Sequence, residues 1–240
     1  YPGGLTSLIL PNSSSLTYLN CAYNYLTSLD VSSYPSLTKL DAHSNEINNL
    51  ILPTSNSLIE LSVFSNQLNT LDASNFTSLT KISCSSNNLT SLILPNTSTL
   101  NRISCSGNQL TNLNVTPYVG LDYLSISSNL LTNIDLSQNL LLNDLDCRSN
   151  SLTSLNVSFN TELEILFCDN NLITDLDLSL LNKLGIFSCE SNQLTSLNTR
   201  NGNNEEYRGV SYLKLRKDLE DINENEDFKF DVEDLYNFKK

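Results

Sequence analysis

Aliphatic residues recur along this chain in two interlocking phases. Between Leu16 and Cys21 they fill the first, fourth and sixth places of a short segment, and between Leu26 and Val31 they do so again. The next such segment opens at Leu37, so a half-unit returns after 10 residues and then after 11. Alternation of apolar and polar places within each half-unit has the period of an extended segment with one buried face. Each turn of chain is thus expected to carry two short extended segments. A half-unit that already spends about six residues on a strand cannot also hold the roughly 11 of an ordinary helix, so the second flank should hold short strands, turns or 3-10 pieces, with little α-helix.

The full period is 21, and nine asparagines mark it: Asn24, Asn45, Asn66, Asn87, Asn108, Asn129, Asn150, Asn171 and Asn192. In the second unit the frame around them reads Leu37, Leu40, Ala42, Asn45, Ile47, and in the fourth Leu79, Ile82, Cys84, Asn87, Leu89. That is LxxLxLxxNxL, the pattern of a leucine-rich repeat, and it predicts a solenoid with a parallel β ladder on the first flank. The array occupies residues 1–199 as a partial first unit followed by nine units of 21. One turn encloses no core, so stability must come from neighbour on neighbour. The ninth-place Asn falls where the chain leaves the strand, and its amide suits backbone groups that the turn leaves unpaired.

Cysteine forms a second column. Cys21, Cys84, Cys105, Cys147, Cys168 and Cys189 all take the sixth, inward place, which Ala42, Val63 and Ile126 fill in the other units. In-register strands hold parallel Cβ vectors about 4.8 Å apart, against a mean of about 3.8 Å across a disulfide. The thiols are therefore expected to be free and packed as small apolar side chains. A single row on one wall cannot surround a tetrahedral zinc, so no metal or cofactor is expected.

A 21-residue unit of the form LxxLxCxxNxLxxLxL with a cysteine column resembles the cysteine-ladder leucine-rich repeats of bacterial surface proteins of the internalin J type. The resemblance runs from Leu5 to about Thr199. It implies a secreted or cell-surface binding module of the kind found in adhesins. Because the frame opens inside a half-unit, at Leu5, Leu8 and Leu10, a cover for the first turn is expected upstream.

Charge narrows the partners. There are 13 basic and 26 acidic side chains, a net charge of −13, which argues against nucleic acid. No apolar run reaches the 18 residues of a membrane span. After Thr199 the character changes: residues 200–240 hold 8 basic and 11 acidic side chains, against 5 and 15 in residues 1–199. The repeat leucine due at position 205 is Glu205, and a frame resumes late at Val210, Leu213 and Leu215. This segment is expected to be a charged C-terminal cap or tail.

Function should lie where repeats of one backbone carry different side chains. The third place of successive units reads Tyr18, Lys39, Glu60, Lys81, Arg102, Tyr123, Asp144, Ile165, Ile186, whereas the equivalent place of the second flank reads Ser28, Asn49, Thr70, Ser91, Asn112, Asn133, Ser154, Asp175, Ser196. The first flank is the expected ligand face. Its candidates are Tyr18, Lys39, His43, Phe64, Lys81, Arg102, Tyr123, Arg148 and Phe167, since aromatics and Arg anchor interfaces. The partner would be a protein or glycan ligand, or a larger surface protein complex. An enzyme reading would have to rest on Asp144, Asp146 and Arg148 with Asp169 and Glu190 on following turns, as paired carboxylates; no nucleophile or phosphate-loop motif accompanies them, and the chain is read as non-catalytic. A structural reading remains, a spacer or accessory subunit docked through its ends or acidic tail, with the Thr-rich twelfth place (Thr27, Thr90, Thr111, Thr132, Thr153, Thr174, Thr195) as a hydroxyl ladder.

Overall fold

The computed structural model describes residues 4–11 and 15–199, so the expected C-terminal cap or tail, 200–240, lies outside the described residues. The secondary structure consists of fifteen strands of three residues each. They are β1 (Tyr18–Asn20), β2 (Ser28–Asp30), β3 (Lys39–Asp41), β4 (Asn49–Ile51), β5 (Glu60–Ser62), β6 (Thr70–Asp72), β7 (Lys81–Ser83), β8 (Ser91–Ile93), β9 (Arg102–Ser104), β10 (Tyr123–Ser125), β11 (Asp144–Asp146), β12 (Ile165–Phe167), β13 (Asp175–Asp177), β14 (Ile186–Ser188) and β15 (Ser196–Asn198). Among the described residues there is no helix.

The first flank is one parallel sheet of nine strands, in the order β1-β3-β5-β7-β9-β10-β11-β12-β14. Pairing is in register at the repeat length, as in Tyr18↔Lys39 and Tyr123↔Asp144. The middle residue of each of these strands points inward and is buried. Around it close the other aliphatic columns, so that Leu37, Leu79, Leu100, Leu121, Leu142 and Leu163 have no exposed surface. Each such side chain contributes about 1.5–3 kcal/mol by leaving water. All six cysteines are free and buried in this stack.

The asparagine column binds each turn to the one before. Asn108 donates from Nδ2 to the carbonyls of Cys105 (2.9 Å), Ser106 (3.3 Å) and, one turn back, Cys84 (3.1 Å). Its Oδ1 accepts the backbone N–H of Leu89 at 2.9 Å. The eighth residue, just before this Asn, has positive φ in every unit: 53–56° at Tyr23, Ser44, Ser65, Ser86, Ser128, Ser149, Asn170 and Ser191, and 64° at Gly107. A left-handed non-glycine residue costs about 1–2 kcal/mol. The Asn amide grips the carbonyls of the sixth and seventh places on the far side of this residue and offsets the strain.

The second flank is less regular than two equal extended segments per turn would make it. It forms three separate two-stranded sheets, β2-β4, β6-β8 and β13-β15, and residues 112–114, 133–135 and 154–156 form no strand. The corner before the flank stays bonded from turn to turn even there, through Leu130 N–H to Leu110 O (2.9 Å) and Ser151 N–H to Leu131 O (2.8 Å). The separation is thus confined to the flank's middle. A second sequence alternation accompanies the pairing of β2 with β4 and of β6 with β8. Turns with Asp or Asn at the fifteenth place close an Asx turn, for example Asp30 accepting from Ser32 N–H (2.9 Å) and Asp72 from Ser74 N–H (2.9 Å). The second and fourth units instead carry Ile51 and Ile93, followed by Leu and Pro. Each Ile turn accepts from its predecessor, Val31 N–H to Ile51 O (2.9 Å) and Ala73 N–H to Ile93 O (2.8 Å). Between β4 and β6 no ladder forms, and a cleft of about 370 Å³ opens beside Leu50, Leu52, Leu68 and Leu71.

A further column stands at the nineteenth place. Tyr34 and Tyr118 donate their hydroxyls to Pro11 O (2.8 Å) and Pro95 O (3.0 Å), and Phe76 fills the same place with no hydroxyl. Then Asn139 and Asn160, both fully buried, replace the ring. Asn160 Nδ2 donates to Leu136 O (3.1 Å) and Asn139 O (2.9 Å), a second amide staircase on the opposite side of the core.

Candidate recognition face

Strand residues at the third and fifth places project outward from the nine-stranded sheet, followed by the seventh place just beyond each strand. The candidate side chains fall into three clusters. In the first, Lys39 forms an ion pair with Glu60 at 2.7 Å and lies 5.6 Å from the centre of the Tyr18 ring. Lys81 reaches the same Glu60 at 3.8 Å. Arg102 meets Asp122 through Nε at 3.3 Å, and its guanidinium sits 5.2 Å from the Tyr123 ring centre. Lys39, Glu60, Lys81, Arg102 and Tyr123 together line a shallow trough of about 420 Å³ with a floor that includes Ser62, Ser83 and Ser104. The hydrogen bond to Lys39 holds the Glu60 carboxyl below its ordinary range and raises the lysine in return. Exposed pairs of this kind contribute about 0–1 kcal/mol, so the trough's ion pairs cost little to rearrange.

The second cluster is aromatic. His43 is stacked on Phe64, centroids 4.2 Å apart and 11° between planes, and meets Tyr23 edge-on at 4.7 Å. Its Nδ1 lies 2.5 Å from Asp41 Oδ1, while its buried Nε2 has no partner among the described residues. The third cluster is Arg148 with Phe167: the guanidinium lies 4.7 Å from the ring centre and is held by Asp146 through Nε–H to Oδ1 (2.9 Å) and Nη2–H to Oδ2 (2.8 Å). The nine candidates therefore form three groups along one face instead of a single site.

Seventh-place residues, which include the candidates His43, Phe64 and Arg148, belong partly to the framework. The strand ladder ends beside them, and a side chain one turn back accepts the next backbone N–H. Ser85 Oγ accepts from Ser106 N–H (3.1 Å), Ser106 Oγ from Ser127 N–H (3.0 Å), and Asp169 from Glu190 N–H (2.7 Å) and the Ser188 hydroxyl. Asp146 is spent on Arg148 and Asp169 on its neighbours, so the acidic group that resembled paired carboxylates is largely used within the fold. The Asp144 carboxylate forms no ion pair among the described residues. Burial, and next the charge of Asp146, holds its carboxyl above the usual range against the pull of Arg102. Two of the twelfth-place hydroxyls bond back to the preceding turn, Thr90 Oγ1 donating to Asn69 O (3.4 Å) and Thr195 Oγ1 to Thr174 O (3.3 Å), whereas Thr174 Oγ1 donates to the Asp175 carboxylate beside it (2.8 Å).

No family model and no curated protein matches the chain. Solved structures do. A functional domain of InlJ from Listeria monocytogenes, which includes a cysteine ladder, is 34% identical, with a TM-score of 0.73, over 77% of this chain and 44% of that one. YopM from Yersinia enterocolitica is 30% identical, with a TM-score of 0.67, over 82% of this chain and 45% of that one. A leucine-rich-repeat protein from Leptospira interrogans is 27% identical, with a TM-score of 0.66, over 75% and 50%. The chain spans half or less of the length of each. Taken with the 21-residue register, the nine Asn bridges and the inward thiols, these matches show that the chain is a leucine-rich-repeat solenoid similar to the cysteine-ladder domain of InlJ.

Proposed function

We propose that this chain is a non-catalytic binding module, secreted or displayed on a cell surface, that recognises a protein or glycan ligand through the trough at Lys39, Lys81, Arg102 and Tyr123. The observation that carries this reading is the division of labour among outward positions. Fifth- and seventh-place side chains are tied to backbone or to one another at several turns, whereas Lys81 and Arg102 remain about half exposed, at 51% and 55% of their side-chain surface, with Arg102 against the Tyr123 ring. Likeness to a functional domain of InlJ and to YopM supports a protein-binding module in general. Desolvated aromatic and Arg anchors ringed by weaker contacts are what such interfaces use.

The test is capture of a ligand from native surface extracts on the immobilised protein, followed by affinity measurement with variants. Combined Lys81→Ala, Arg102→Ala and Tyr123→Ala should weaken binding by about tenfold or more, the loss of one hot-spot contact. Matched changes at Ser91, Asn112 and Asn133 should leave it unchanged. If binding survives the first set and disappears when residues 206–240 are deleted, the repeats are a spacer and the charged tail is the docking element.

A further inference from the structure

The ion pairs within the trough leave a particular set of charges unspent. Lys39 holds Glu60 at 2.7 Å, so Lys81, at 3.8 Å from the same carboxylate, is the weaker claimant. Arg102 hydrogen-bonds Asp122 through Nε at 3.3 Å, and its terminal amino groups donate no hydrogen bond among the described residues. These two cations are register partners on β7 and β9, on a chain whose net charge is −13. Farther along the same row stands Tyr123, and then Asp144, which no cation of the described residues pairs with. Asp146 beside it is already held in two bonds by Arg148. Two cations, a ring and one carboxylate thus follow one another over four turns.

We propose that the trough takes an extended polypeptide segment of a partner, with an acidic side chain seated between Lys81 and Arg102 and a basic side chain four residues along it at Asp144. The proposal rests on the trough being the recognition face. Spacing sets the interval: from the midpoint of Lys81 and Arg102 to Asp144 is two and a half turns, about 12 Å at about 4.8 Å per strand, and an extended chain covers that in about four residues at about 3.3 Å each. An even number keeps both side chains on one side of the segment. The residue midway between them lies over Tyr123. A sulfated glycan or other long polyanion would fit the two cations but would then run over Glu60 on one side and Asp122 and Asp144 on the other. Juxtaposed like charges of this kind reject wrong partners.

A displayed library of random twelve-residue peptides, selected on the intact protein and separately on the Lys81→Glu, Arg102→Glu double variant, tests this. The two sites are exposed, and circular dichroism checks that the variant is folded. Peptides enriched on the unmodified protein should carry Asp or Glu four residues from Lys or Arg. A synthetic peptide of the best sequence should lose about tenfold or more in affinity for the double variant, and regain it when its own acidic residue is replaced by Lys. Three outcomes overturn the inference: no enrichment, enrichment without the four-residue spacing, or heparin binding at the trough in place of peptide. If peptides lacking the spacing still lose affinity with Tyr123→Ala and with the double variant, the trough stands as the recognition face and only the partner chemistry is wrong. If they bind all these variants undiminished, the trough reading fails as well.

Discussion

Asn108 makes four hydrogen bonds to backbone groups of two turns; without it the buried Leu89 N–H loses its acceptor, while the three carbonyls each lose one of two donors and keep the Asn87 amide, the Asn129 amide and the Ser86 N–H. Leaving buried groups unpaired costs about 1–3 kcal/mol, so Asn108→Ala should lower stability by that amount in a urea titration. Ser104→Ala, at a floor position of the trough, should stay within about 0.5 kcal/mol. The thiols give a pH dependence. Burial pushes Cys105 up to about 12 from an ordinary value of 9.0, and Tyr118 up to about 12 from 10.0. The unfolded chain therefore sheds these protons at lower pH than the folded one. Stability from this source is complete below pH 9 and is lost as the pH rises towards 12. Urea midpoints measured from pH 7.5 to 11 should fall above 9, and less steeply in Cys105→Ala. Cys21, 6% exposed and pushed up only to about 11, should be the first thiol that a labelling reagent reaches in native protein, read by peptide mass mapping.

The two flanks show what the 21-residue frame could and could not disclose. The nine-stranded ladder, the inward cysteines and the bridging role of Asn were legible because one apolar pattern repeats without a gap and each column has one physical task. The second flank was read as nine equal segments, since its aliphatic places are equally regular. In the first four units its pairing follows a slower alternation, Asx-turn residues against Ile-Leu-Pro, that a single-unit frame averages away, whereas β13 and β15 pair with Asp177 and Asn198 at the fifteenth place and follow no such alternation. Asp-x-Ser at Asp30 and Asp72 was the available signal. The left-handed eighth place gave little sign, because serine stands there in most units and serine is common everywhere in this chain. The framework role of row seven left no mark because Ser and Asp that accept a backbone N–H are indistinguishable in sequence from those that face water. The Tyr hydroxyls of the second flank offer a check on this level. Tyr118→Phe removes the bond to Pro95 O and should cost about 1 kcal/mol. Phe76→Leu should cost a comparable amount through packing alone, with no dependence on alkaline pH. Differential scanning calorimetry at pH 7 and 10 would compare them.

Over the full array, each turn touches only its neighbours, so protection should grade along the stack. Leu19 and Cys21, in the first complete unit, retain 9% and 6% exposure, whereas Leu121, Leu124, Leu142 and Leu145 have none. Amide hydrogen exchange should be slowest in β9, β10 and β11 and fastest in β1 and β14; uniform exchange would mean that the stack opens as a single unit. The candidate face was legible as a place, because side-chain variety on a constant backbone is visible in sequence. Its division into a trough, an aromatic stack and a closed Arg148–Asp146 pair was not, since those depend on which rotamers meet across turns. The interrupted second flank also has a mechanical meaning. One side of the stack is tied without a break from β1 to β14, while the other is three ribbons with gaps between them. Flexing that widens those gaps breaks no ladder bond, and flexing in the opposite sense must stretch a continuous sheet. The molecule is a leaf spring, compliant in one direction and stiff in the other.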